Sequence, residues 1–191
     1  GDFFCAPFGP NDVVPGDGPQ HGDSASGDWE LVSSGDGWVE TVLAVPIMGA
    51  QLRKRVEVRP GESVVYQRHT FTGGSGRLPV GHHAMLRADG VLRLAFAPRV
   101  FAGTPPAPVE TPPEGRSILA YPQEIADLRA ARRADGGTID LTSYPTEDGH
   151  EDLWMLASDP APAFAWTAAT SEDGWVWFGL KNPRILPGTV I

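Results

Sequence analysis

Along much of the chain, apolar and polar positions alternate with the period of two that a half-buried strand imposes. In QLRKRVEVR, Val56 and Val58 share one face while Arg55, Glu57 and Arg59 take the other. Pro60-Gly61 then turns the chain, and ESVVYQRHTF predicts an antiparallel return. VLAVPIMGA adds an apolar, β-branched stretch ahead of this pair, while HHAMLR and VLRLAFAP predict a hairpin about the Asp-Gly of ADG. Further strands are expected in GTIDLTSYP, DLWMLAS, AFAWTAAT and GWVWFGL, the last two joined as a hairpin through SEDG. Only PQEIADLRAARRA carries a helical pattern, with proline near its start and Ile125 and Leu128 three apart. The pattern predicts an all-β fold of antiparallel strands with one short helix at most.

Composition sharpens this picture. The 191 residues include 23 Gly and 19 Pro spread between the strand segments, which favours many turns over long helices. NDVVPGDGPQHGDSASGDWEL is expected to be a long loop ahead of a strand near Trp29, and FAGTPPAPVETPPEGR a proline-rich surface connection. Strand-like sequence continues on both sides of that connection, so a single domain spanning 1–191 is expected. The opening GDFFCAPFGP reads as interior sequence and LPGTVI stops where a strand begins, which predicts missing sequence at one or both ends.

Charge and cysteine content narrow the partners. With 15 Lys plus Arg against 24 Asp plus Glu, the net charge of -9 opposes a phosphate backbone, so nucleic acid is not an expected partner. No apolar run is long enough for a membrane-spanning helix, and no membrane partner is expected. Cys5, the one cysteine, excludes an internal disulfide and reads as a buried structural thiol; a cytoplasmic location is the matching expectation. Oligomeric state is left open.

Candidate chemistry concentrates in RHTFTGGSGRLPVGHHAMLR, which holds three of the five histidines around a glycine-rich loop. Alternation places His69 on the strand face shared by Val65 and Phe71. His82 and His83 must point in opposite directions if extended, His82 with Ala84 and Leu86, His83 with Met85 and Arg87. An imidazole titrates near neutrality and can accept or donate a proton at working pH, which makes these residues candidates for proton transfer. His150, in the polar TEDGHED, is expected to be structural. Two of these imidazoles with a carboxylate would suit zinc or iron in a β-barrel isomerase or dioxygenase. The His-x-His pair that sharpens such a signal is missing, so no metal and no other cofactor are expected. GGSG lacks the lysine and hydroxyl of a phosphate loop, and no serine sits in a nucleophile elbow. Trp175 and Trp177 share one face of GWVWFGL; they suit a sheet core or a platform for the apolar face of a sugar.

GDFFCAPFGP followed by HGDSASGDWEL, then YQRHTFTGGSGRLPVGHHAML and WVWFGLKNPRILPGTV, resembles the galactose mutarotase-like superfamily, specifically bacterial aldose 1-epimerase-like proteins. The resemblance implies an antiparallel β-sandwich with a sugar on the concave face of one sheet. His21, Gly22 and Trp29 match its first motif, whose arginine and asparagine positions hold small or acidic residues here. It further implies His69 as the general acid of anomer interconversion, and His21, Arg68, His82, His83, Arg87 and Trp175 are the residues expected to bind a small-molecule sugar. No glutamate matches the family's general base. A noncatalytic carbohydrate-binding or scaffold domain is the alternative left by these departures.

Overall fold

A computed structural model describes residues 2–9, 18, 19, 21–87, 89–108, 110, 115–145, 147 and 149–191. Its contacts divide the chain into two compact units, residues 1–86 and 87–191.

The first unit contains β1 (Asp2–Cys5), α1 (Asp23–Ser26), β2 (Trp29–Gly35), β3 (Trp38–Leu43), β4 (Ala50–Val58), β5 (Val65–Gly73) and β6 (Gly81–Ala84). Strands β2, β3, β4 and β5 form an antiparallel meander in that order. The β4–β5 register places Lys54 opposite His69 and Arg55 opposite Arg68, as an alternating pair joined near Pro60-Gly61 requires. Strand β6 pairs with β1, with Phe3 opposite His83 and Phe4 opposite His82.

A small apolar core of Ala6, Leu43, Ile47 and Leu52, flanked by Phe4, Trp29, Phe71, Leu78 and Val80, supports these strands. Full burial of one such leucine contributes about 1.5–3 kcal/mol. The single-turn α1 ties β1 to this core: Ser24 Oγ donates to the Phe4 carbonyl at 2.6 Å, and Trp29 Nε1 donates to the Ser24 carbonyl at 3.1 Å.

The second unit contains β7 (Leu92–Phe96), β8 (Arg99–Gly103), a 3-10 turn (Leu128–Ala130), β9 (Ala131–Arg132), β10 (Thr138–Ile139), β11 (Ser143–Tyr144), β12 (Met155–Ser158), β13 (Ala165–Ser171), β14 (Val176–Lys181) and β15 (Gly188–Val190). Its sheets run β11-β7-β13-β14 and β15-β12-β8, with β9 and β10 as a two-stranded ribbon. The expected β13–β14 hairpin is present, pairing Trp166 with Leu180 and Thr170 with Val176. The core gathers Ala102, Leu119, Ile125, Leu128, Ala131, Leu141, Trp154 and Leu156.

The described residues are thus all-β and antiparallel, with one four-residue α-helix. Two local expectations are corrected. The first concerns PQEIADLRAARRA, which forms no α-helix. Ile125 N donates to Ala102 O and Glu124 bridges to Gly103, so these backbone groups pair with the β8 segment rather than along a helix. Gln123 completes the alternative, donating to Ala120 O and Arg132 O while its Oε1 accepts from Arg132 N. Tertiary pairing here overrides helix propensity, which is worth only tenths of a kcal/mol per residue. Second, HHAMLR and VLRLAFAP do not pair with each other: β6 joins β1, and β7 joins β11 and β13. The expected long opening loop contains α1 and falls partly on 11–17 and 20, outside the described residues, as do 109 and 111–114 of the proline-rich connection.

Candidate functional site

Strand alternation on the β1–β6 ribbon sorts its side chains into two sets. Asp2, Phe4 and His82 take one face, and Phe3 and His83 the other, because directly paired residues share a face. On the first face the ribbon meets the side of β5 that carries Gln67, His69 and Phe71. The Phe4 ring stacks on His69 with centroids 3.9 Å apart, and the His82 ring meets His69 edge-on at 6.1 Å. His82 Nε2 lies 2.5 Å from Asp2 Oδ1, and Gln67 Nε2 donates to Asp2 Oδ2.

On the second face Phe3 stacks on His83 at 4.6 Å, and His21 closes edge-on against both, at 5.3 Å from Phe3 and 5.4 Å from His83. His21 reaches this position from a left-handed backbone, φ 65°, followed by Gly22 at φ 79°. Gly22 is needed there: a Cβ would stand 2.4 Å from the carbonyl carbon of Ala6. The four candidate imidazoles of the first unit are therefore brought together around a single two-stranded ribbon.

Burial sets their electrostatics. Burial first, then the charges of Lys54 and His82, lowers the pKa of His69 to about 4. His69 is neutral at pH 7, and its Nε2 is enclosed without a hydrogen-bond partner. His83 is lowered as well, by burial and then by His21, and its Nδ1 is likewise enclosed and unpaired. His82 is more open, with 42% of its side chain exposed. Cys5 is fully buried, and burial pushes its thiol up, away from thiolate chemistry.

Arg68 is exposed on the opposite face of the β4–β5 pair from His69, across from Arg55, whose guanidinium lies 3.9 Å above the Trp38 ring. It does not share the histidines' environment. Arg87 and Trp175 belong to the second unit; Arg87 is almost wholly exposed and 3.8 Å from Asp89, and Trp175 precedes β14 at the surface. In β14 the outward face is Val176, Phe178 and Leu180, with Trp177 on the other. His150 is held by Asp152 through Nδ1 at 2.9 Å.

The glycine-rich loop forms one wall of an apolar cleft of about 370 Å³ beside this core, with Met48, Phe71, Leu78 and Val80 among its other lining groups. Gly74, at φ 73°, runs so close to β4 that a Cβ would be 2.8 Å from the Cβ of Ala50. The loop therefore serves close backbone packing at the end of β5.

Asp2 was not among the sequence candidates. Its signal was the alternation of DFFC, which puts a carboxylate and an aromatic ring on one face, but the partner strand lies almost eighty residues away. Among the described residues, no group of three or more His, Cys, Asp or Glu side chains is arranged to hold a metal ion, and no helix is long and apolar enough to cross a membrane. No family model, curated protein or solved structure matches the chain.

Proposed function

We propose that the chain belongs to a protein with a mutarotase-type β-sandwich that interconverts the anomers of a hexose or related aldose by acid and base catalysis. The observation that carries this reading is the neutral, half-buried His69 beside the open, carboxylate-paired His82. Ring opening requires one group to take the anomeric hydroxyl proton and another to protonate the ring oxygen. An imidazole whose pKa is about 4 is a proton acceptor at pH 7, so the role first expected of His69, the acid, is better exchanged for that of the base. His82, facing Asp2, takes the acid's part. His21 and His83 line the other face of the same ribbon, so a sugar held between His69 and His82 does not reach them.

The test is exchange NMR of several aldose anomers with the intact chain and with His69→Asn and His82→Asn. Acceleration over buffer, reduced by about 10²-fold in either variant, supports the reading. No acceleration of any neutral or phosphorylated aldose removes it.

The second reading, a noncatalytic carbohydrate-binding domain, is favoured by the aromatic groups left outward on the second unit, Trp166 and Phe178 on one sheet face and Trp175 beside it. Calorimetry against mono- and oligosaccharides tests it, and no binding at millimolar concentration excludes it.

A further inference from the structure

The register of the β1–β6 ribbon sets Asp2 opposite Ala84 and Phe4 opposite His82, so Asp2 reaches its imidazole from the diagonal position on the same face. Each of its carboxylate oxygens has one partner. Oδ1 faces His82 Nε2 at 2.5 Å, and Oδ2 accepts from Gln67 on the neighbouring β5. An ionised carboxylate only accepts hydrogen bonds, so the ring nitrogen facing it must carry a proton. The nitrogen left to exchange protons with a ligand is then Nδ1, for which no protein partner exists among the described residues.

We propose that Asp2, itself held by Gln67, is a positioning residue that fixes His82 with its proton on Nε2 and thereby makes Nδ1 the atom that gives and takes the catalytic proton. The proposal rests on the reading of this cluster as an aldose-interconverting site. The step balances as follows. In the proposed step His82 gives the Nδ1 proton to the ring oxygen as the bond from C1 to that oxygen breaks, its electron pair remaining on the oxygen. His69 accepts the proton of the anomeric hydroxyl through Nδ1, since its Nε2 is enclosed, and the O–H electron pair becomes the second bond of the C1 carbonyl. One positive charge moves from His82 to His69, and Asp2 keeps its hydrogen bond from Nε2–H throughout. Closure onto the other face of the carbonyl reverses both transfers and yields the other anomer. Burial first, then the charges of Lys54 and His82, disfavours a proton on His69, so its cationic form is transient, as this alternation needs.

The experiment is long-range 1H–15N correlation spectroscopy of the 15N-labelled full chain at pH 8 without sugar, paired with anomerisation kinetics of the same proteins followed from pH 8 down into the acid range. In the unaltered chain neutral His82 is expected as a single Nε2–H form; in Asp2→Ala it becomes a mixture of both tautomers, and kcat falls by about 10²-fold while KM changes little. A tautomer mixture in the unaltered chain, or a single Nε2–H form persisting in folded Asp2→Ala, overturns the proposal. Should Asp2→Ala not fold, the spectrum of the unaltered chain decides alone. If no aldose is turned over, the reading of the site fails, while the spectra still decide whether Asp2 fixes His82.

Discussion

The rings of Phe4 and His69 lie face to face, 13° from parallel and 3.9 Å between centroids, although one residue comes from β1 and the other from β5. This contact removes water from one side of the imidazole, and burial is the largest cause of its low pKa. In Phe4→Ala, the His69 pKa is expected to rise from about 4 toward the ordinary 6.5, leaving the contributions of Lys54 and His82 in place. Titration of the His69 ring by NMR checks this. An unchanged midpoint would show that Phe4 is not what dries the ring.

The same shift makes stability depend on pH. With a folded pKa of about 4 and an unfolded value near 6.5, His69 binds its proton more readily in the unfolded chain. Its contribution is therefore neutral above 6.5, becomes increasingly unfavourable as pH falls toward 4, and stays at its full cost below that. His83 shifts in the same direction and adds to the trend. Urea midpoints measured at pH 7 and pH 4.5 should fall less in His69→Asn than in the unaltered chain. Equal falls would mean that the ring is solvated in the folded state.

Some of this arrangement was legible in the sequence. Alternation and turn residues found β4, β5, β13 and β14, because these strands pair with neighbours along the chain and the hairpin chemistry is local. The opposed directions of His82 and His83 followed from the same period. What escaped was β1 with β6, whose pairing spans almost the whole first unit and has no local signature. Asp2 escaped with it. The false helix at 122–134 had good propensity, but Gln123 binds three backbone groups and Ile125 N donates to Ala102 O of β8. Propensity scores cannot register a partner supplied by another strand.

The turn that delivers His21 should tolerate no side chain at Gly22. That residue has φ 79°, and a Cβ would fall 2.4–2.5 Å from backbone atoms of Ala6 and Pro7, which cannot move aside without shifting β1. Gly22→Ala is expected to destabilise the chain by about 3 kcal/mol, combining left-handed strain with the clash. In protein that still folds, the His21 ring should lose its contact with His83. Thermal melts and nuclear Overhauser effects between the two rings check both effects. By contrast, Gly61→Ala has open space around it and carries only the strain of φ 79°, so it should cost about 1 kcal/mol.

In the second unit, Asp152 bears the heaviest hydrogen-bonding demand. Its carboxylate is nearly sealed from solvent. Oδ2 accepts from Ile118 N and lies 2.9 Å from His150 Nδ1, while Oδ1 accepts from Leu119 N and from the Tyr121 hydroxyl. The Tyr121 oxygen in turn accepts from Leu153 N, so the cluster fastens the segment at 118–121 to the one entering β12. Asp152→Ala strands two backbone N–H groups at once, leaving the Tyr121 hydroxyl only the Leu153 carbonyl at 3.3 Å, and is expected to cost about 3–5 kcal/mol. Asp152→Asn should be no rescue. Because Ile118 N and Leu119 N address different oxygens, either amide orientation sets an NH2 group against a backbone N–H. The phenol offers an independent readout. Burial first, then the hydrogen bond and charge of Asp152 among the other causes, pushes Tyr121 up to about 12, so its ionisation should move to lower pH in any Asp152→Ala protein that remains folded. Urea denaturation and ultraviolet titration of tyrosinate measure these two consequences, and an Asp152→Asn chain as stable as the unaltered one would refute the role of the carboxylate as a two-oxygen anchor.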